Sequence, residues 1–340
     1  MTVLCNKQVL KTGILFFTIT LFFSCKSKLE REIAQVQINS SLYRFDALLS
    51  QEKTITPTDV SAVKQARPQF YDVFTGQILH TDTTVANSTP VFKAFKNYFD
   101  SIGVTEQVTG RFPNFKKEKK QIDGAFRRVK HYFPNYSTPD VITLISGFNY
   151  KNFLIDSAVC IGLEMYLADE LDYKTMGEKF TNYQIKTFYP EFIAKDVMES
   201  VVNDLYPESP ANNTFLLKML YNGKKLFFLE KMLPKTQKHI LIDMTADEYE
   251  WCEKNERLIW QYFIKRNILY SHKAEDFRSY ILPGPFSVGM PEGAPANTGS
   301  FVGWQIINAY TARQKKAVQE VMATPLSNDF LHDAQYQPRH

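Results

Sequence analysis

The chain has 340 residues, 44% of them hydrophobic and 14% aromatic, with 40 lysines and arginines against 36 aspartates and glutamates. A chain of this length and apolar content can bury a sizeable core, as one large domain or two small ones. A net charge of +4 is too mild to point to a nucleic-acid binder.

Residues 1–24 read as an export signal. Lys7 and Lys11 give a positive start, Thr12 to Phe23 an apolar run of about a dozen residues, and Leu21-Phe22-Phe23-Ser24-Cys25 a lipobox-like end. A helix that spans a bilayer needs about 20 apolar residues, so this run is a cleaved signal rather than a permanent anchor. A small residue directly before a cysteine is what lipoprotein signal peptidase requires, and Cys25 is therefore the expected acylated N-terminus. An ordinary signal peptide with an incidental cysteine is the alternative. Removing Lys7 and Lys11 leaves 38 basic and 36 acidic side chains, a net charge of +2. Cys5 departs with the signal, and Cys160 and Cys252, both in apolar surroundings, are expected as buried thiols, with a disulfide between them the alternative.

Residues 25–35 then form the acylated cysteine and a polar tether, and 36–340 a single globular domain. Val36, Ile38, Leu42 and Phe45 predict a strand leading into Arg44-Phe45-Asp46. Helical spacing recurs in places from Tyr43 to about Asp100. Residues 116–130 carry seven lysines and arginines, which reads as a solvated helix face, with an acidic partner or lipid head group as the sharper alternative. After Pro139 the pattern turns to β: Val141 to Ile145 is one apolar, β-branched run and Ala158 to Leu163 another, predicting two adjoining central strands. Pro190 opens a helix whose face of Phe192, Ile193, Val197 and Val201 ends before Pro207.

The most strongly specified stretch follows. Asn213 to Leu233 is an apolar helix ended by Pro234. A second helix starts at Thr245 with a capping box to Glu248 and runs on through Arg266. Four prolines and five glycines between Pro283 and Gly303 exclude a regular element there. A third helix runs from about Ser300 through Val321. Strands followed by packed helices predict an α+β fold, predominantly α-helical, rather than alternating βαβ units.

The chemical motifs are mostly absent. No two of the six histidines lie at i, i+4, so no HExxH site exists, and there is no P-loop, dinucleotide fingerprint or GxSxG. Asp169, Glu170 and Asp172 read as a solvated turn, and Trp251, Trp260 and Trp304 as core. The helices best placed to hold a metal offer Asp196, Asn203, Asp204 and Asn222 but no imidazole. His131 and His239 are the only histidines flanked by apolar sequence. No catalytic residue, metal ligand or cofactor is assigned.

Cys25, Tyr43-Arg44-Phe45-Asp46, His131-Tyr132-Phe133-Pro134, Ile161-Gly162-Leu163-Glu164-Met165-Tyr166-Leu167, Gly223-Lys224-Lys225 with Met232-Leu233-Pro234, Trp251-Cys252-Glu253 with Asn255-Glu256, and Gly303-Trp304-Gln305-Ile306 occur in this order. In these segments the chain resembles the gliding motility lipoprotein GldB family over essentially its whole mature length. The resemblance implies a lipid-anchored cell-envelope protein, required for gliding motility and associated with the type IX secretion machinery. It would act as a non-catalytic binding or scaffold component. It implies other gliding and secretion envelope proteins as partners, the membrane through Cys25, and no nucleic acid; Lys26 and Lys28 lean toward a periplasmic face.

A second likeness is to zinc-dependent peptidases, in which one helix bears HExxH and a later one a Glu-Gly. This chain departs at each ligand: the helix from Pro190 has no histidine, and Asn222 precedes Gly223. Either it is a degenerate zincin-like scaffold that keeps a cleft for binding, bounded by Asn222, Phe286, Glu292 and Trp304, or the likeness is helix packing alone. A zinc-dependent peptidase with an unrecognised site is the alternative function.

Overall fold

The computed structural model describes residues 28–339, apart from the side chains at positions 177 and 178, so the export signal and Cys25 lie outside the described residues. The stretch expected as a polar tether is a helix, α1 (Lys28–Gln35). Its one buried residue, Ile33, docks it on the body of the protein, and the Glu30 carboxylate accepts a hydrogen bond from the Arg128 guanidinium. The strand expected from Val36 shortens to β1 (Leu42–Arg44), because Phe45 and Asp46 already open α2 (Phe45–Leu49). Phe45 is fully buried, with ring centroids 5.0 Å from Phe70 and 4.7 Å from Phe74. Arg44 binds Asp46 and the Phe112 carbonyl oxygen, while Asp46 also accepts from Thr143 Oγ1, so this short segment ties three parts of the chain together.

Helices α3 (Pro57–Ala66), α4 (Pro68–Val73), a π-helical turn (Phe74–Ile78), α5 (Val85–Ser101), α6 (Val104–Arg111) and α7 (Lys116–Tyr132) complete the N-terminal part. Thr56 caps α3 through a reciprocal box with Asp59, and Pro57 and Pro68 stand in first turns, where their missing N–H costs nothing. The basic segment is indeed a helix, although Arg128 is buried in it.

Three further strands follow: β2 (Asp140–Leu144), β3 (Asn152–Ile155) and β4 (Ala158–Gly162). The sheet order is β1-β2-β4-β3, with β1, β2 and β4 parallel and β3 antiparallel to β4. β2 and β4 are the central pair, as their continuous apolar runs require for strands covered on both faces. The sequence reading missed β3, which is half-buried and lies at the sheet edge.

After 3₁₀ turns at Leu163–Tyr166, Ala168–Glu170 and Tyr173–Lys179 come α8 (Asn182–Ile185), a 3₁₀ turn at Pro190–Phe192, and α9 (Ile193–Leu205), which packs on β3 and β4. The longest helix among the described residues, α10 (Phe215–Met232), is capped by Thr214. It is followed by α11 (Lys238–Leu241), α12 (Ala246–Lys254), α13 (Glu256–Lys265) and α14 (Ala274–Ile281). The Thr245 capping box is present, but the single helix expected beyond it breaks at Asn255. The chain ends with α15 (Thr298–Gln314), α16 (Val318–Ala323) and α17 (Asp329–Ala334). The helix expected to reach Val321 stops at Gln314 because Lys315 adopts a left-handed φ of 51°.

The principal helix pair is α10 against α15. A Cβ added at Gly303 would fall 1.9 Å from the Met219 carbonyl oxygen, and one at Gly223 would fall 2.3 Å from the Gly303 carbonyl carbon. The two backbones touch, which only glycine permits. Gly303 therefore packs against α10. The α+β, predominantly helical fold has one hydrophobic core running without interruption from Phe45 to Ala334. No described helix is long and apolar enough to cross a membrane.

Candidate functional site

Helix α9 carries Ile193, Ala194, Val197, Met198, Val201 and Val202 in the core, yet the same buried stretch holds Lys195 and Asp196. Charges in such a setting must be paired, and these are. Lys195, 2% exposed, places its Nζ 2.8 Å from Asp196 Oδ1, 3.1 Å from Glu199 Oε2 and 2.6 Å from Asp243 Oδ1. Asp243 stands in the turn between α11 and α12 with φ 58°, a conformation that aspartate tolerates better than most residues. An outer shell of partners holds Asp196 and Glu199 from the other side. Lys151 Nζ lies 2.7 Å from Asp196 Oδ2, the Tyr166 hydroxyl donates to the same oxygen at 2.8 Å, and Lys225 Nζ lies 3.2 Å from Glu199 Oε1. Three lysines face three carboxyl groups, and of these burial raises the pKa of Asp243 against the pull of Lys195.

Its protonation follows from the geometry. Burial works against the Lys195 ammonium, but Asp196, Asp243 and Glu199 outweigh it and raise its pKa well above the ordinary lysine value. Burial likewise opposes ionisation of Asp196, and Lys151 and Lys195 overcome it, leaving its pKa lowered. Glu199 is held down to about 2, chiefly by the Lys195 charge. Lys151 also sits over the rings of Tyr166, Phe188 and Phe192 at 5.1, 5.6 and 5.7 Å, within cation–π range.

This network lies between two adjoining cavities that share Glu199, Asp243, Pro283 and Asn297. The larger, about 500 Å³, runs between α10 and the end of α14, with Lys218, Tyr221, Asn222, Lys225 and Arg278 as its polar lining. The smaller, about 280 Å³, includes Lys151, Lys195 and Asp196. Together they form one cleft with charged walls. Asn297, at φ 69°, turns the chain into α15, and its buried Oδ1 has no protein partner.

Of the four residues expected around a cleft, the structure brings only Asn222 to this one. Its Nδ2 donates to the Ile281 carbonyl oxygen at 3.2 Å and to Ser300 Oγ at 2.9 Å, so it clamps α10 to the ends of α14 and α15. Trp304 is fully buried, its Nε1 donating to Glu230 Oε2 at 3.3 Å, and belongs to the core. Phe286 is 57% exposed on the Gly/Pro loop and Glu292 is exposed further along it. Neither lines the cleft.

The sequence reading picked out Asp196 and Asn203, which do reach the cleft or its wall, but missed Lys195, Glu199 and Asp243. A signal was present for the first two: charges at i and i+4 on an otherwise apolar helix share one face. That spacing is also the spacing of HExxH, and the residue types do not fit zinc. An ammonium occupies the point on which the carboxylates converge. No group of three histidines, cysteines, aspartates or glutamates that could hold a metal ion occurs among the described residues. Cys160 and Cys252 are both free and buried, and burial pushes both thiols up, away from reactivity.

Glu164 is a different kind of buried acid. Its Oε1 accepts from the Ser146 and Phe148 amides at 2.8 and 2.9 Å and from Ser146 Oγ at 2.5 Å, so it folds the loop after β2. Burial raises its pKa against those bonds.

Compared with known proteins, residues 26–338 match the family described as gliding motility protein GldB, which is nearly the whole chain. No curated protein and no solved structure matches it.

Proposed function

Because the chain belongs to the gliding motility protein GldB family, its role lies in gliding motility and its class is lipoprotein, and we propose that it is a non-catalytic binding component held in the cell envelope by acylated Cys25. The cleft around Lys195 is its docking surface, and the partners are other envelope proteins of the gliding and type IX secretion machinery, on the periplasmic side. One observation carries the non-catalytic reading: the carboxylates of Asp196 and Glu199 are each paired with two of the chain's own lysines, and Asp243 is paired with Lys195. Such a set offers a metal no free carboxylate on α9, and the lowered pKa of Asp196 and Glu199 makes both weak bases. The cleft walls carry both signs of charge beside apolar Leu282 and Pro283, a surface suited to a polypeptide segment.

The test is complementation of a gliding strain that lacks its own copy. Lys218→Glu with Arg278→Glu reverses charge on the cleft wall at positions that are not in the core. We expect a stability loss under about 1 kcal/mol, from the exposed Lys218–Glu208 pair, with unchanged membrane fractionation and loss of gliding. Normal gliding by this variant would remove the cleft from the function. Near one zinc per purified chain, with peptide cleavage lost in Asp196→Asn, would restore the peptidase reading instead.

A further inference from the structure

The basic helix α7 has a feature that the cleft does not use. Beside it, bordered by Glu30 of α1, runs a second groove of about 580 Å³, floored by apolar residues such as Ala125, Ala194 and Leu233, with three cations, Lys120, Arg128 and Lys235, and two acids, Glu30 and Glu191, in its lining. Arg128 is engaged by Glu30 of α1. The side chains of Lys120 and Lys235 are exposed and, among the described residues, have no hydrogen bond or ion pair. The side chains of Lys116 and Lys117, one turn earlier, are exposed and unpaired as well.

The position of this groove follows from α1. Lys28, the first residue of the helix, is three residues from Cys25, a reach of about 10 Å at full extension. Buried Ile33 and the Glu30–Arg128 pair fix α1 to α7, so the helix cannot carry the anchor far from the groove without peeling off. Leu29 is 40% exposed at the same end, an apolar side chain turned to solvent next to the anchor. An acylated Cys25 therefore holds Glu30, Arg128 and the basic rim within reach of the head-group layer, where cations are drawn to anionic lipid. We propose that this groove and the first turns of α7 bind anionic phospholipid head groups and so set how the domain stands on the membrane. The proposal rests on acylation of Cys25.

Full-length acylated protein reconstituted into vesicles separates the two. Hydrogen exchange over residues 117–128 and 232–240 should slow about tenfold in phosphatidylcholine vesicles containing phosphatidylglycerol, relative to phosphatidylcholine alone. The protection should fade as salt is raised and vanish in Lys120→Glu with Lys235→Glu, which should melt as the parent does, since neither side chain is buried or paired. Mass spectrometry of the same sample reports acylation independently. Acylated Cys25 with equal exchange in both vesicle types overturns the head-group site and leaves the anchor standing. Protein without lipid on Cys25 overturns the anchor, and with it the reason for this face to meet a membrane.

Discussion

At the scale of single residues, the chain puts its least expected chemistry on α9. Removing Lys195 alone leaves Asp196, Glu199 and Asp243 facing one another, and an uncompensated buried charge costs about 3 to 5 kcal/mol. Glu199 and Asp243 keep 34% and 33% of their side-chain surface exposed, which screens part of that penalty. Lys195→Met should therefore destabilise by about 3 kcal/mol in denaturant unfolding, and a loss under about 1 kcal/mol would show that water already solvates the network. The pH dependence has a definite sign. Glu199 titrates near 4.5 when unfolded and about 2 when folded, so it favours the native state above pH 4.5 and loses that contribution as pH falls through the window to about 2. In Glu199→Gln the melting temperature should fall less steeply across that window than in the parent, and identical slopes would contradict the pairing with Lys195. These residues were only partly legible beforehand. Lys195 and Glu199 are flanked by apolar helix, but Asp243 reaches them from a turn more than forty positions away, a closure that no local pattern encodes.

At the scale of elements, legibility tracked the strength of the local rule. The box of Thr245 with Glu248 and the apolar runs of β2 and β4 impose their structures locally, and those elements were found. The breaks at Asn255 and Lys315 were not, because each interrupts an apolar period that continues past it. α1 resembles a tether in sequence because only Ile33 is buried in it and the helix it packs on, α7, lies far along the chain. The α10–α15 crossing was half visible: Gly223 and Gly303 stand out in sequence, but that they face each other is a tertiary fact. It leads to a sharp expectation. A methyl at Gly303 would meet the Met219 backbone at 1.9 Å, and a backbone oxygen cannot swing aside as a flexible side chain would. Gly303→Ala should cost about 3 kcal/mol, the upper end of the usual overpacking range, because the two helices must part. Trp304→Ala, which empties a fully buried site, should cost about 3 to 5 kcal/mol by thermal unfolding. A Gly303→Ala protein that melts like the parent would mean that the helices are not in backbone contact.

At the scale of the whole molecule, the described chain is long enough that two separate cores would be ordinary, since single cores stop growing near about 250 to 300 residues. Yet the buried apolar residues form one cluster from Phe45 to Ala334, and the groups that bridge it come from distant segments: Arg44 reaches Phe112, and Tyr166 and Lys151 reach Asp196 on α9. The charge network therefore stands where the sheet, α9, α10 and the α11–α12 turn meet, and any one of them leaving exposes charges held by the others. That coupling argues for one cooperative unit despite the length. It can be checked because the three tryptophans, Trp251, Trp260 and Trp304, all lie in the C-terminal third, whereas the sheet and α1 to α7 do not contain one. Tryptophan fluorescence and far-ultraviolet circular dichroism should then report the same midpoint in a denaturant titration. In Lys195→Met the two curves should move together, because the cage joins the strand-bearing part to the C-terminal helices. If fluorescence instead lagged behind circular dichroism in the parent, the C-terminal helices would fold as a unit of their own, and the charge network would be an interface between two bodies rather than the centre of one.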